Sequence, residues 1–184
     1  PALSLARLCW VCGSRSPVSG GWSWGRGPSL VCCVAGRMPR ALLNPAVTIA
    51  LAAFRGFSWK KVAPYCLAQT VGAFVAALLV RWNYSEVIDK FDPGHTIKSQ
   101  GIFSTLPGNG VLPVHLGGGF RDQIIGTAIL MFLILAGTDR GNTSPLANMA
   151  PLLGGLIVVA IGMAWGTDAG YAINPARDFG PRLA

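Results

Sequence analysis

The chain is 184 residues long, 52% of them hydrophobic and only 12% charged, with a mean hydropathy of +0.49. That is too apolar and too poor in charge for an ordinary soluble surface, so the first reading is a membrane protein. Five of the eight surplus positive charges are Arg7, Arg15, Arg26, Arg37 and Arg40, in a stretch without acids. With no basic helix face and no aromatic platform, nucleic acid is excluded as a partner.

Residues 1–42 form an anomalous N-terminal segment, which also holds four of the five cysteines, Cys9, Cys12, Cys32 and Cys33. The Cys9-Trp-Val-Cys12 spacing lacks the second cysteine or histidine pair that a zinc site needs, so no metal is expected. Its apolar stretch is broken by Arg7 and again by Gly13 to Arg15, a poor signal peptide. A frame-shifted or wrongly joined coding segment, with something missing upstream, is the expected source of this composition.

A short apolar run follows, from which we predict a half-helix over 44–54. Asn44 is a favoured N-cap, and Pro45 suits the first helical position, where no backbone N–H needs a partner. From Pro45 to Phe54 such a helix measures only ~15 Å, half a bilayer core. A transmembrane span is predicted at about 62–80, nineteen residues without a formal charge between Lys60-Lys61 and Arg81. Within it, Gly72 and Ala76 suit close helix packing, and Gln69 is a lone amide that either braces a neighbouring loop or makes an ordinary interhelical contact. A long connection holding His95 and His115, both read as solvated, leads to two more spans at about 116–138 and 149–166. A second half-helix is predicted over 174–183, because Asn174-Pro175-Ala176 repeats Asn44-Pro45-Ala46.

Three spans separate the two Asn-Pro-Ala starts, so the loops must enter the bilayer from opposite faces. The fold class is therefore all-α, an inverted repeat of transmembrane helices with two half-helices meeting at the midplane. Arg55, Lys60, Lys61 and Arg140 fall on one side, which places the first loop on the cytoplasmic face of a multi-pass protein of the cell membrane. Two helix N-termini facing each other offer unpaired N–H donors and partial positive charge, a barrier to cations that accepts neutral hydroxylated solutes. Asn44 and Asn174 add side-chain donors, which orient a passing oxygen and interrupt a proton wire.

Arg177 stands on the first turn of the second half-helix, where a buried arginine costs at least ~2.5 kcal/mol and marks function. Its counterpart after Asn44 is Val47, so the charge makes the constriction one-sided. Asp178 either pairs with Arg177, braces a loop or simply sits at the positive end of the helix dipole. Gly170 and Tyr171 precede the motif, where an aromatic wall and open carbonyls suit the two faces of a small polyol. No Walker A motif, zinc-ligand cluster or nucleophile elbow is present, so neither an enzyme nor a cofactor is expected.

LNPAVTIA at 43–50 and GYAINPARDFGPRL at 170–183 resemble the two signature loops of the aquaporin superfamily, and the Asp after Asn-Pro-Ala-Arg resembles its glycerol-facilitator branch. The resemblance covers 43–184, including FRDQIIGTAILMF at 120–132 and GIFSTLPG at 101–108. It implies six spans plus two half-helices per subunit, embedded in lipid and assembled as a homotetramer, each subunit a passive pore for glycerol and similar small neutral solutes. By the resemblance Asn44 and Asn174 are lumen donors, while Arg177, Tyr171 and Trp24 form the narrow filter. Gly170, Tyr171 and Ala172 supply backbone carbonyls, and Pro45, Ala46, Pro175, Ala176, Asp178 and Gln69 are structural. The sequence departs from the family pattern before Leu43, where Leu42 stands in place of a histidine. The competing expectation is a non-conducting fragment that at most associates with intact subunits.

Overall fold

A computed structural model describes residues 42–110, 112–139, 141–142 and 149–184. Trp24 and the rest of 1–41 lie outside the described residues. Regular structure among these residues is helical: α1 Pro45–Phe54, α2 Trp59–Asn83, α3 Ser85–Phe91, α4 Ile97–Phe103, a 3-10 turn Pro107–Gly110, α5 Leu116–Gly137, α6 Ala150–Ala169 and α7 Pro175–Arg182. The fold is the all-helical membrane architecture that the inverted repeat implies.

Helices α2, α5 and α6 have 25, 22 and 20 residues. At ~1.5 Å per residue each is about 30 Å or longer, enough to cross a hydrocarbon core. Helix α2 runs through Lys60, Lys61 and Arg81, past the charges that bound the predicted span at 62–80. Helix α6 likewise continues through Asp168 to Ala169, past the predicted limit at 166, and stops only where Gly170 turns left-handed at φ 73°. A surface charge marks where lipid ends. The helical hydrogen-bond ladder stops at a cap, and the two limits need not coincide.

The short helices have well-defined starts. Asn44 Oδ1 accepts from Ala46 N at 2.9 Å ahead of α1, and Asn174 Oδ1 accepts from Arg177 N at 3.2 Å ahead of α7. Each proline stands at the start of its helix, where its missing N–H leaves nothing unpaired.

Helix α2 lies along α7, α5 packs on α6, and α1 rests against α2. The apolar core gathers Val47 of α1, Leu130 of α5, and Ile157 and Ile161 of α6 around Ile173, just ahead of α7. The outer faces of the long helices are apolar too, with Leu67, Phe132 and Met163 exposed. A helix hydrophobic all round belongs in lipid or in the interior of a larger assembly.

Between α2 and α5 the chain is pinned by Asp92. Its Oδ2 accepts from Thr96 N at 2.6 Å, Thr96 Oγ1 at 2.9 Å and Ser99 N at 3.1 Å. Burial alone pushes this carboxyl up, but the hydrogen bonds from Ser99 and Thr96 outweigh it and hold the group below the usual carboxylate range.

Candidate functional site: two loops bonded to each other

The loops ahead of α1 and α7 meet through a reciprocal pair of hydrogen bonds. Asn44 Nδ2 donates to Ile173 O at 2.8 Å, and Asn174 Nδ2 donates to Leu43 O at 3.0 Å. Each asparagine thus caps its own helix with its oxygen and holds the opposite loop with its nitrogen. Both are buried, at 9% and 8% exposure. An amide nitrogen carries two hydrogens, so the cross-bond commits one of them.

Each loop is also braced by a glutamine from a long helix. Gln69 Nε2 of α2 donates to Leu42 O at 2.6 Å and to Thr48 Oγ1 at 3.1 Å, while Thr48 Oγ1 donates to Asn44 O at 2.9 Å. On the other side, Gln123 Oε1 of α5 accepts from Ile173 N at 2.9 Å, and its Nε2 donates to Ala169 O at 3.3 Å. Gln69 therefore braces a loop, the first of the two alternatives left open for it. Its partner in the repeat, Gln123, went unnoticed in the sequence. The available signal was symmetry, since the other loop also requires an amide from a span.

The run from Gly170 to Ile173 is backbone that most side chains avoid. Gly170, Tyr171 and Ile173 have φ of 73°, 40° and 36°. For a β-branched residue such as Ile173 this conformation is strained by about 1–3 kcal/mol, and strain of this kind clusters at ligand clamps and active sites. The surroundings over-determine Ile173: its N–H is held by Gln123, its C=O by Asn44, and its side chain by the core.

The Tyr171 ring lies directly on Gly162 of α6, where a Cβ would come within 2.9 Å of Cζ and 3.0 Å of Cε2. Gly162 is thus a second residue that sequence reasoning missed, because a glycine in an apolar span looks like ordinary packing. Next along the chain, Arg177 is only 11% exposed at its side chain. Its Nη1 makes no hydrogen bond to the described residues, and its ionic partner Asp178 Oδ1 is 4.0 Å away.

Asp178 is engaged elsewhere. Its Oδ1 accepts from Thr105 N at 2.8 Å and Thr105 Oγ1 at 2.6 Å, and its Oδ2 accepts from Arg182 Nε at 2.9 Å. Arg182 also donates to Thr105 O, which closes a ring of contacts. Of the roles left open for Asp178, the structure places bracing of the connection between α2 and α5 first.

The chain as a whole is similar to known proteins. The chain is 44% identical over 168 residues to a glycerol uptake facilitator protein of Haemophilus influenzae, covering 87% of this chain and 62% of that one. It is 43% identical to the glycerol uptake facilitator protein of Pseudomonas aeruginosa, covering 87% of this chain and 59% of that one. The chain therefore spans about three fifths of the length of these curated relatives. The solved aquaglyceroporin of Plasmodium falciparum superposes with a TM-score of 0.80 at 28% identity, covering 99% of this chain and 74% of that chain. The sequence pattern of the family described as major intrinsic protein matches residues 14–184, reaching back beyond the 43–184 that the signature motifs cover. With that match running over most of its length, the chain belongs to the major intrinsic protein family.

Proposed function

We propose that this chain builds the solute path of a passive channel for glycerol and other small neutral solutes. The observation that carries this reading is the pair of buried, cross-bonded asparagine loops, which brings two helix N-termini together inside a molecule whose outer surface suits lipid. The aligned N–H groups and dipoles of α1 and α7 repel cations and offer donors to a hydroxyl oxygen. Relatives named for glycerol uptake support the same solute class.

In this reading Asn44 and Asn174 orient the solute oxygen, and Arg177 supplies a fixed charge and donors at a constriction on one side. Tyr171 supplies the apolar wall, and the carbonyls of Gly170, Tyr171 and Ala172 supply acceptors. Trp24, carried by the family resemblance, completes the filter. The working unit is a homotetramer in a cell membrane, with the first loop entering from the cytoplasmic side. Lys60 and Lys61 at the start of α2 support that orientation.

The test is reswelling of vesicles that contain the chain after a glycerol upshift, compared with empty vesicles. A faster return to volume is expected. An unchanged rate with folded protein present in the bilayer overturns the proposal and leaves the non-conducting reading.

Gly162→Ala gives a sharper test of the wall. The added methyl occupies space now filled by the Tyr171 ring, which must shift by several tenths of an ångström. Glycerol permeability is expected to fall about threefold relative to water permeability, read by stopped-flow light scattering. An unchanged ratio removes Tyr171 from the solute path.

A further inference from the structure

Arg177 and Asp178 are adjacent, opposite in charge and mostly buried, at 11% and 22% side-chain exposure. A buried charge is stabilised by closing on its counter-charge, yet these two stand 4.0 Å apart. The cause lies outside the pair. Asp178 Oδ1, the oxygen nearer Arg177, already receives both donors of Thr105, at 2.6 and 2.8 Å. Its Oδ2 is taken by Arg182, whose other nitrogen reaches back to Thr105 O. The carboxylate is tied from the side of the α2–α5 connection, and Arg177 Nη1 is left without a hydrogen bond to the described residues.

We propose that Thr105 is a positioning residue of the filter: by occupying Asp178, it keeps the Arg177 guanidinium available to solute. This rests on the reading of Arg177 as a filter group and deepens it. The hydroxyl is the removable part of the tie, because the backbone N–H survives any substitution but proline. Once the hydroxyl is gone, Oδ1 is one donor short, and Arg177 Nη1 faces that same oxygen. A shift of about 1.2 Å closes the gap to the length of a charge-assisted hydrogen bond. Arg177 would then be neutralised and its donor withdrawn from the path.

The experiment compares the full chain with Thr105→Val and Thr105→Ser in vesicles, reading glycerol permeability and cation leak. Thr105→Val is expected to lower glycerol permeability about tenfold, the effect of losing a hydrogen bond to a charged group, and to raise cation leak. Thr105→Ser keeps the hydroxyl and is expected to stay within about twofold of the parent. In an Arg177→Val background the same valine is expected to change neither quantity, because the group it acts through is absent. A merely structural threonine would lower the yield of folded protein without that dependence on Arg177.

A second arm does not depend on conduction. Nitrogen-15 magnetic resonance of arginine side chains, with the Arg177 signals assigned by their loss in Arg177→Val, is expected to show shifted and slowed Nη groups in Thr105→Val. Unaltered Nη signals, wild-type permeation in Thr105→Val, or an effect that persists without Arg177 each overturn the inference. Parent vesicles that pass no glycerol overturn the channel reading instead, and the resonance arm then decides the role of Thr105 by itself.

Discussion

Gly180→Val will prevent α7 from seating on α2. A Cβ at this position would lie 2.7 Å from both the Ala73 Cβ and the Thr70 carbonyl oxygen, and 3.0 Å from Phe74 N. Two of those three atoms are backbone, so no rotamer change relieves the contact. The helices must separate, and they form the most extensive contact between elements in the described structure. Gly180 also precedes Pro181, and a branched side chain there meets the proline ring as well. Overpacking against flexible side chains costs about 1–3 kcal/mol, and against backbone the loss should reach about 3 kcal/mol or more. Denaturant titration in mixed micelles reads it directly. Gly180→Ala supplies the informative control. In an open helix, alanine in place of glycine is worth about 0.5–1 kcal/mol of stabilisation, so a loss here means that the contact outweighs propensity. A stable Gly180→Val protein would show that α7 sits farther from α2 than described.

Arg177→Val is expected to leave the fold intact and remove selectivity. The usual penalty for deleting half of an ion pair is the stranded partner, but Asp178 keeps Thr105 and Arg182. The cap of α7 also survives, because Asn174 bonds the backbone N–H of residue 177 and not its side chain. The unfolding free energy should therefore change by less than about 1 kcal/mol. What is lost is a fixed charge and its donors, worth about 1.5–3 kcal/mol against a cation or a solute of poor fit. Permeability to monovalent cations and to polyols longer than glycerol should rise about tenfold or more, at roughly 1.4 kcal/mol per factor of ten. Flux assays in vesicles measure this. A folded variant with parental selectivity would remove Arg177 from the filter.

Much of the architecture is legible in the sequence because the bilayer imposes a length and a charge rule on every span. The half-helices are legible for a local reason, since Asn followed by Pro specifies a cap and a first turn. The polar ties between elements are harder to read. Gln123 lies 50 residues from the Ile173 that it holds, and Thr105 lies 73 from Asp178. Neither spacing leaves a periodic trace, and a threonine in a long connection or an amide beside Asp122 is unremarkable by composition. Gly162 and Gly180 are similar cases. Their importance lies in the aromatic ring and the backbone that pass close by, and a sequence records glycine without recording what approaches it.

The reciprocal bonds between the loops also bear on how the chain reaches its structure. Leu43 and Ile173 present carbonyls whose side-chain donors stand 131 and 129 residues away. In hydrocarbon a peptide group left without a partner is penalised by several kcal/mol, so neither loop can settle at depth alone. Insertion of α1 and α2 alone leaves Leu43 waiting for Asn174, and Asn44 for Ile173. The two halves must therefore lock in one late, cooperative step, with each loop serving as the template on which the other acquires its shape.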